Sequence, residues 1–313
     1  MEKNAKIYLA GHTGLLGKAI MRRLKKQGYS RIITRPHKKL DLTQQAEVEK
    51  FFKKSKLDYV FLCAARVGGL RANMNFPAEF ICENLAIQTN VLSAAYKYGV
   101  RKLIFLGSGC SYPAQCRQPI KEEYLLSGYL EPTNQEYAVA KIAGITMCQA
   151  YNRQYGANFI CAVATTMYGP NDSFDPEDCH VIPALIMKFH QAKINKKPEV
   201  IIWGSGKPLR DFIYVDDAAD GCILLMNKYN SPQIINIATG QEVSIRVLAN
   251  LLKDTLGFKG RIIFDRSKPD GMTRKVLDVS KAKELLGWKA KTPLKKGLRL
   301  TYNWYLKNKT ALS

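Results

Sequence analysis

Ser108, Tyr137 and Lys141 are residues whose types and spacing can do chemistry. Tyr137 and Lys141 are four apart in a stretch with helical patterning, so both project from one face of a helix. A free phenol, with a pKa of about 10, exchanges protons poorly at neutral pH. An ammonium beside it favours the phenolate and is expected to lower that value. Lysine can also hold a ribose. Ser108 ends the apolar run KLIFLGS. A hydroxyl at the C-terminal end of such a strand can hydrogen-bond a substrate carbonyl, because open α/β sheets place their ligands there. Many helices carry a tyrosine and a lysine at this spacing by chance. The weight comes from a glycine turn upstream.

That turn reads Gly11-His12-Thr13-Gly14-Leu15-Leu16-Gly17 and stands between the strand-like KIYLAG and the helix-like LLGKAIMRRLKKQG. One glycine allows a tight turn, another lets the backbone approach a pyrophosphate, and the last lets helix and strand pack closely. The helix N-terminus then offers unpaired N–H groups to the phosphates. The spacing is G-x-x-G-x-x-G rather than G-x-G-x-x-G, and an ordinary glycine-rich turn is the alternative. An NAD site usually carries an acid about 20 residues further on, for the ribose 2′-hydroxyl. Here that region reads Thr34-Arg35-Pro36-His37-Lys38-Lys39, with no acid before Asp41. A cation at this point attracts a 2′-phosphate, so the expected cofactor is NADP(H).

The elements that must position these groups alternate. Apolar runs at RIITR, DYVFLCAA, KLIFLGS and FICAVA read as strands. Helical patterns cover residues 43–54, 77–98 and 135–155. This order predicts an α/β fold, a doubly wound parallel sheet of the Rossmann type. After Pro170 the elements shorten, with VIIWG, DFIYV and IINIATG as short strands and a closing helix near residues 301–307. The expected division is a cofactor-binding domain at 1–168 and a smaller C-terminal α/β substrate lobe at 169–313. Residues 211–239 and the C-terminal helix are expected to return to the first domain. No internal repeat or low-complexity tract interrupts the chain.

Composition narrows the class. A chain of 313 residues buries a large core without staples. No apolar run approaches the ~20 residues of a membrane helix. The N-terminus leaves no room for a signal peptide, so a cytoplasmic protein is expected. Eight cysteines contain no C-x-x-C pair, so no metal is expected and free thiols are. The net charge of +22 fits either a nucleic-acid binder or a solvated surface that favours anionic small ligands. The basic residues are spread along the chain without interleaved aromatics, which favours the second.

Longer stretches carry a resemblance. AARVGGLRANMNFPAEFICEN, KLIFLGSGCSYP, LEPTNQEYAVAKIAGITMCQAYNRQYG, CHVIPALI, WGSGKPLRDFIYVDD and KPDGMTRKVLDV run nearly end to end. Through them the chain resembles the extended short-chain dehydrogenase/reductase family. Within it, the chain is similar to the branch that epimerises and then reduces GDP-4-keto-6-deoxy-D-mannose. The resemblance implies inversion at C3 and C5, which flank the keto carbon, followed by NADPH-dependent reduction at C4. It assigns the epimerising acid–base pair to Cys110 and His180, with Tyr137 protonating the new alkoxide and Ser108 helping to hold it. A thiol and an imidazole both titrate near neutrality. Without the resemblance, Cys110 reads as a small residue under a loop and His180 as a solvated loop histidine.

The resemblance also implies the binding sets. Besides the glycine turn and Arg35, the cofactor is expected at Asp41, Leu42, Ala64, Ala65, Leu106, Gly107, Lys141, Ala164, Thr165, Thr166, Met167 and His180. Substrate is expected at Lys188, Trp203, Arg210 and Asp270, the two cations neutralising the diphosphate. Two positions depart from the family pattern. Thr13 stands where an arginine often follows the histidine of the turn, which removes one cation. Ala164-Thr165-Thr166 replaces Pro-Thr-Asn, which removes an amide on the nicotinamide side. The helices at 77–98 and 135–155 are expected to pair with their copies in a homodimer, a four-helix interface. A related GDP-sugar reductase or single-site epimerase, and a non-catalytic NADP-binding regulator, are the alternative functions.

Overall fold

The computed structural model describes residues 1–176, 179–268 and 270–309. The strands are β1 (Ile7–Ala10), β2 (Ile32–Ile33), β3 (Tyr59–Leu62), β4 (Lys102–Ser108), β5 (Phe159–Ala164), β6 (Thr166–Tyr168), β7 (Glu199–Trp203), β8 (Leu209–Arg210), β9 (Phe212–Tyr214), β10 (Ile235–Ile237), β11 (Val243–Ser244), β12 (Arg261–Asp265) and β13 (Arg274–Lys275). The helices are α1 (Leu15–Lys26), α2 (Gln45–Ser55), α3 (Leu70–Asn75), α4 (Pro77–Lys97), α5 (Gln135–Tyr155), α6 (Val181–Ile194), α7 (Val215–Lys228), α8 (Ile245–Leu256), α9 (Ser280–Leu286) and α10 (Leu294–Asn308).

The main sheet has the order β10-β5-β4-β3-β1-β2, and every pair in it is parallel. Successive side chains of a strand point to opposite faces. Ile7, Leu9, Phe61, Ile104, Leu106, Ile160 and Ala162 therefore enter one core, with α1 and α7. Their neighbours Tyr8, Val60, Leu62, Leu103, Phe105, Phe159, Cys161 and Val163 enter the other, with α2, α4 and α5. Both faces are covered, which is why these strands are apolar throughout rather than alternating.

The second half of the chain divides between this sheet and a third core. Strand β10 joins the main sheet beside β5, as IINIA was expected to. DFIYV does not: β9 pairs with β6 in a separate two-stranded sheet, Thr166 opposite Phe212. Its residues face two ways, since Ile213 reaches the first core while Phe212 and Tyr214 enter the third. The C-terminal helix also departs from expectation. Leu298 and Tyr302 of α10 pack with Ile186 and Phe189 of α6 and Leu248 and Leu252 of α8. Apolar positions recur over the whole of Leu294–Asn308, so the helix is longer than 301–307 and its stripe fits this third core.

One buried carboxylate joins the lobes. Asp211 lies between β8 and β9 and accepts hydrogen bonds from Thr239 N at 3.2 Å, Gly240 N at 3.0 Å and the Thr239 hydroxyl. Its own carbonyl accepts the Thr165 hydroxyl at 3.0 Å. Thr165 and Thr239 follow the C-terminal ends of β5 and β10, so the junction sits at the mouth of the main sheet. All eight cysteines are free thiols.

Candidate active site

Helix α1 starts directly after the glycine turn, with Gly14 as its N-cap and no side chain capping it. The first-turn N–H groups therefore face outward for an anion. Gly11 has φ +81°, and a β-carbon there would lie 2.6 Å from Ala64 N. A β-carbon on Gly17 would collide with the Gly11 carbonyl oxygen. Both observations fit a turn pressed onto β1 and β3, so that backbone alone faces a pyrophosphate. Thr13 is exposed, Leu15 is partly buried, and Leu16 is buried in the first core, so only its backbone can face a ligand. His12 Nδ1 is buried and has no hydrogen-bond partner among the described residues. It offers a polar atom to a ligand at this spot.

At the end of β2, Arg35 bonds the Thr34 carbonyl at 2.8 Å and lies over the Phe51 ring, 5.4 Å from its centre. An exposed guanidinium with no carboxylate partner among the described residues suits a 2′-phosphate. Asp41 accepts from Thr43 N and Oγ at 2.9 and 2.8 Å, and so holds the turn into α2. Leu42 is buried in the second core. Ala64 and Ala65 follow β3, and Leu106 and Gly107 lie in β4, all near the C-terminal edge of the sheet. Ala164 ends β5, while Thr166 and Met167 already belong to β6. The Thr165 hydroxyl is spent on Asp211.

Ser108 ends β4, where its hydroxyl accepts Cys110 N at 3.3 Å. Tyr137 and Lys141 share the face of α5 turned to this strand. Lys141 is 5% exposed and donates to the Leu106 carbonyl at 2.9 Å, with its ammonium 5.7 Å from the centre of the Tyr137 ring. Burial pushes Lys141 down to about 8. The expected lowering of the Tyr137 phenol is not found. Burial drives it above the ordinary phenol range, the nearby Cys110 adds to this, and a hydrogen bond with Ser108 opposes it. Enclosure in the protein penalises the phenolate more than the Ser108 hydrogen bond favours it. In the protein alone Tyr137 is thus held protonated, as a proton donor must be.

Cys110 follows Ser108 in the short 3-10 turn Gly109–Ser111, and Asn134 Nδ2 donates to its sulfur at 3.4 Å. Lys275 Nζ donates to the same atom at 3.5 Å. Burial pushes this thiol up, but the Lys275 charge and hydrogen bonds from Ser108, Lys275 and Asn134 outweigh it, leaving the pKa below the ordinary thiol value. His180 is the N-cap of α6 and is exposed.

The residues expected to meet substrate lie beside the third core. Lys188 of α6 reaches the Ile201 carbonyl at 3.3 Å and lies 5.9 Å from the centre of the Trp203 ring. Trp203 is 65% exposed, an open aromatic face at the end of β7. Asp270 accepts Ser205 N and Oγ, both at 2.6 Å, so both of its oxygens clamp the turn after Trp203. Gly204, at φ +82°, makes room for it. Arg210 of β8 is partly buried, and burial lowers its pKa while Asp270 and Glu131 pull it back up.

Asn134 and Lys275 were not singled out in the sequence, although both fall in stretches that carry the resemblance. Neither has a local signal. Lys275 is 165 positions from Cys110, and only the tertiary fold brings them together.

A dinucleotide-type sheet with a Ser–Tyr–Lys set at its C-terminal edge defines an oxidoreductase-like site on a nucleotide-binding fold. The chain belongs to the NAD dependent epimerase/dehydratase family, whose sequence pattern matches residues 7–238. It is 53% identical to GDP-L-fucose synthase 1 of Arabidopsis thaliana, over 98% of this chain and 95% of the relative. Among solved structures it is similar to a GDP-L-fucose synthetase from Naegleria fowleri bound to NADP, at 33% identity and TM-score 0.93, covering 99% of this chain and 95% of that one. It is also similar to a GDP-6-OMe-4-keto-L-xylo-heptose reductase from Campylobacter jejuni, at 39% identity and TM-score 0.94, covering 98% and 99%.

Proposed function

We propose that this chain is an enzyme with GDP-L-fucose synthase activity, converting GDP-4-keto-6-deoxy-D-mannose to GDP-L-fucose with NADPH. The observation that carries the full reaction is the placement of Cys110 against Ser108 at the end of β4. Reduction needs a proton donor and a carbonyl anchor. A second acid–base group beside them serves epimerisation.

The relatives named GDP-L-fucose synthase and the NADP-bound neighbour support both substrate and cofactor. The glycine turn would hold the pyrophosphate, Arg35 the 2′-phosphate, and Lys141 the nicotinamide ribose. NADPH, when bound, supplies the hydride that reaches C4. Lys188 and Arg210 meet the diphosphate, and Trp203 offers its face to the base or sugar. Proton removal at C3 or C5 breaks a C–H bond and sends its electron pair onto the C4 oxygen. Return of a proton from the opposite face inverts the carbon, so Cys110 and His180 work from opposite sides. Tyr137 then gives its proton to the alkoxide at C4, which Ser108 steadies.

The test is direct. Mixed with GDP-4-keto-6-deoxy-D-mannose in deuterated water, the protein should oxidise NADPH faster than NADH and place deuterium at C3 and C5 of the product. A product without deuterium at either carbon would leave only a GDP-sugar 4-reductase, the reading favoured by the likeness to the heptose reductase.

Helices α4 and α5 pack on each other and leave Tyr96, Tyr155 and Val139 exposed, with Tyr96 and Tyr155 stacked at 4.5 Å. This supports a homodimer through the two helices, which sedimentation of the protein would test. Among the described residues no helix is long and apolar enough to cross a membrane.

A further inference from the structure

We propose that Lys275 is the positioning residue that holds Cys110 as a thiolate, by an ammonium–sulfur pair built where the end of β13 is tied to the loop beyond β4. The proposal rests on the reading of Cys110 as an acid–base group in epimerisation.

The contact is constructed. Strand β13 pairs with β8, with Lys275 opposite Arg210. The residues after it are tied to the loop beyond β4: Val276 N donates to Gln118 Oε1 at 3.0 Å, Ile120 N to the Val276 carbonyl at 2.8 Å, and Asp278 N to the Ile120 carbonyl at 2.8 Å. Leu277 between them is fully buried. The loop is held in turn by Asn236 of β10, whose Nδ2 donates to the Ile120 and Asp278 carbonyls at 3.1 and 3.0 Å. Neighbouring side chains on a strand point opposite ways. Arg274 turns to Glu242 at 2.6 Å, and Lys275 turns to Cys110.

The stem of Lys275 crosses Gly109. A β-carbon there would stand 3.4 Å from Lys275 Cε, so the lysine lies against bare backbone. Among the described residues no carboxylate pairs with Lys275, and the Cys110 sulfur accepts its hydrogen bond. The other polar groups facing this sulfur are Asn134 from the start of α5, the Ser108 hydroxyl and the Tyr137 phenol, all uncharged as long as Tyr137 keeps its proton. Lys275 is thus the one cation among these neighbours. A cation beside a cysteine stabilises the thiolate, the form that acts as base or nucleophile. A thiolate enters the reaction able only to accept a proton: the S–H bond forms as the sugar C–H bond breaks, and the electron pair moves to the C4 oxygen.

The test is the pH dependence of Cys110 alkylation by iodoacetamide in the full chain, followed by mass spectrometry of the Cys110 peptide. The wild-type midpoint should fall below the ~8.5 of a free thiol. Lys275→Met should raise it by about one unit and slow alkylation at neutral pH about tenfold. Lys275→Arg should restore most of both. An unshifted midpoint in Lys275→Met, with any defect confined to a raised KM for the GDP-sugar, would overturn the proposal and make Lys275 a diphosphate contact. The underlying reading has its own readout. If Cys110→Ala still exchanges deuterium at C3 and C5, that reading falls, while the midpoint still decides the pairing.

Discussion

Gly17 and Gly11 touch across the first turn of α1, with the position of a Gly17 β-carbon falling inside the Gly11 carbonyl oxygen. No rotamer relieves this clash, because both partners are backbone. Gly17→Ala should push the helix start away from β1. The expected result is a loss of about 1–3 kcal/mol of stability, typical of overpacking, and a drop in NADPH affinity. Thermal unfolding and a fluorescence titration with NADPH would measure the two.

Tyr137→Phe removes the proton that Tyr137 is placed to donate. Reduction should fall by roughly a hundredfold or more, the usual weight of a general acid. Deuterium uptake at C3 and C5 should persist, since Cys110 and His180 are untouched. Loss of exchange along with reduction would place Tyr137 in both steps.

Arg35→Ala should narrow the preference for NADPH. A charge-assisted hydrogen bond contributes about 1.5–3 kcal/mol, so kcat/KM with NADPH should fall about tenfold to a hundredfold while the NADH value stays near its starting point. With Thr13 in the turn, the stretch 11–17 supplies no lysine or arginine, and Arg35 stands just past the end of β2. An equal fall with both cofactors would move the 2′-phosphate site elsewhere.

Lys102 is buried at the start of β4 and donates to the Leu225 and Met226 carbonyls and to Asn230 Oδ1, at 3.0, 2.9 and 3.0 Å. It closes the C-terminal end of α7. Lys102→Met leaves two helix carbonyls short of a donor and should cost about 1–3 kcal/mol. The pH dependence has a definite sign. Burial lowers this lysine to about 8, below its unfolded value. Between the two values the unfolded chain binds more protons, so this group makes stability rise with pH from about 8 upward. Lys102→Met should flatten that rise, as urea unfolding at several pH values would show.

Much of the framework was legible because the main sheet is buried on both faces. FICAVA is apolar at every position and KLIFLGS from Leu103 to Leu106, and both became strands over their whole length. Helix α5 begins at Gln135 and ends at Tyr155 as its pattern indicated. The glycine turn was legible because its spacing is local. Short strands were harder. DFIYV has the composition of a sheet strand, but its partner β6 lies far off in the chain, and nothing in either segment says that they leave the main sheet together. The protonation of Tyr137 was misjudged for a related reason: spacing puts Lys141 nearby, yet the Leu106 carbonyl that engages it and the enclosure of the phenol are tertiary facts.

The Asp211 junction has a thermodynamic consequence. Its carboxylate is bonded to the loop after β10, and its carbonyl to the residue after β5, so parting the segment between β8 and β9 from the main sheet breaks both ties at once. Burial holds this carboxyl up at about 6 against the hydrogen bonds that pull it down. A group whose folded pKa is raised contributes stability at low pH that is lost as pH climbs through that value. Because the Asp211 hydrogen bonds tie the segment between β8 and β9 to two strand ends of the main sheet, the two lobes should melt in one cooperative calorimetric transition rather than two. The lobes then behave as a single folding unit, joined at the mouth of the main sheet.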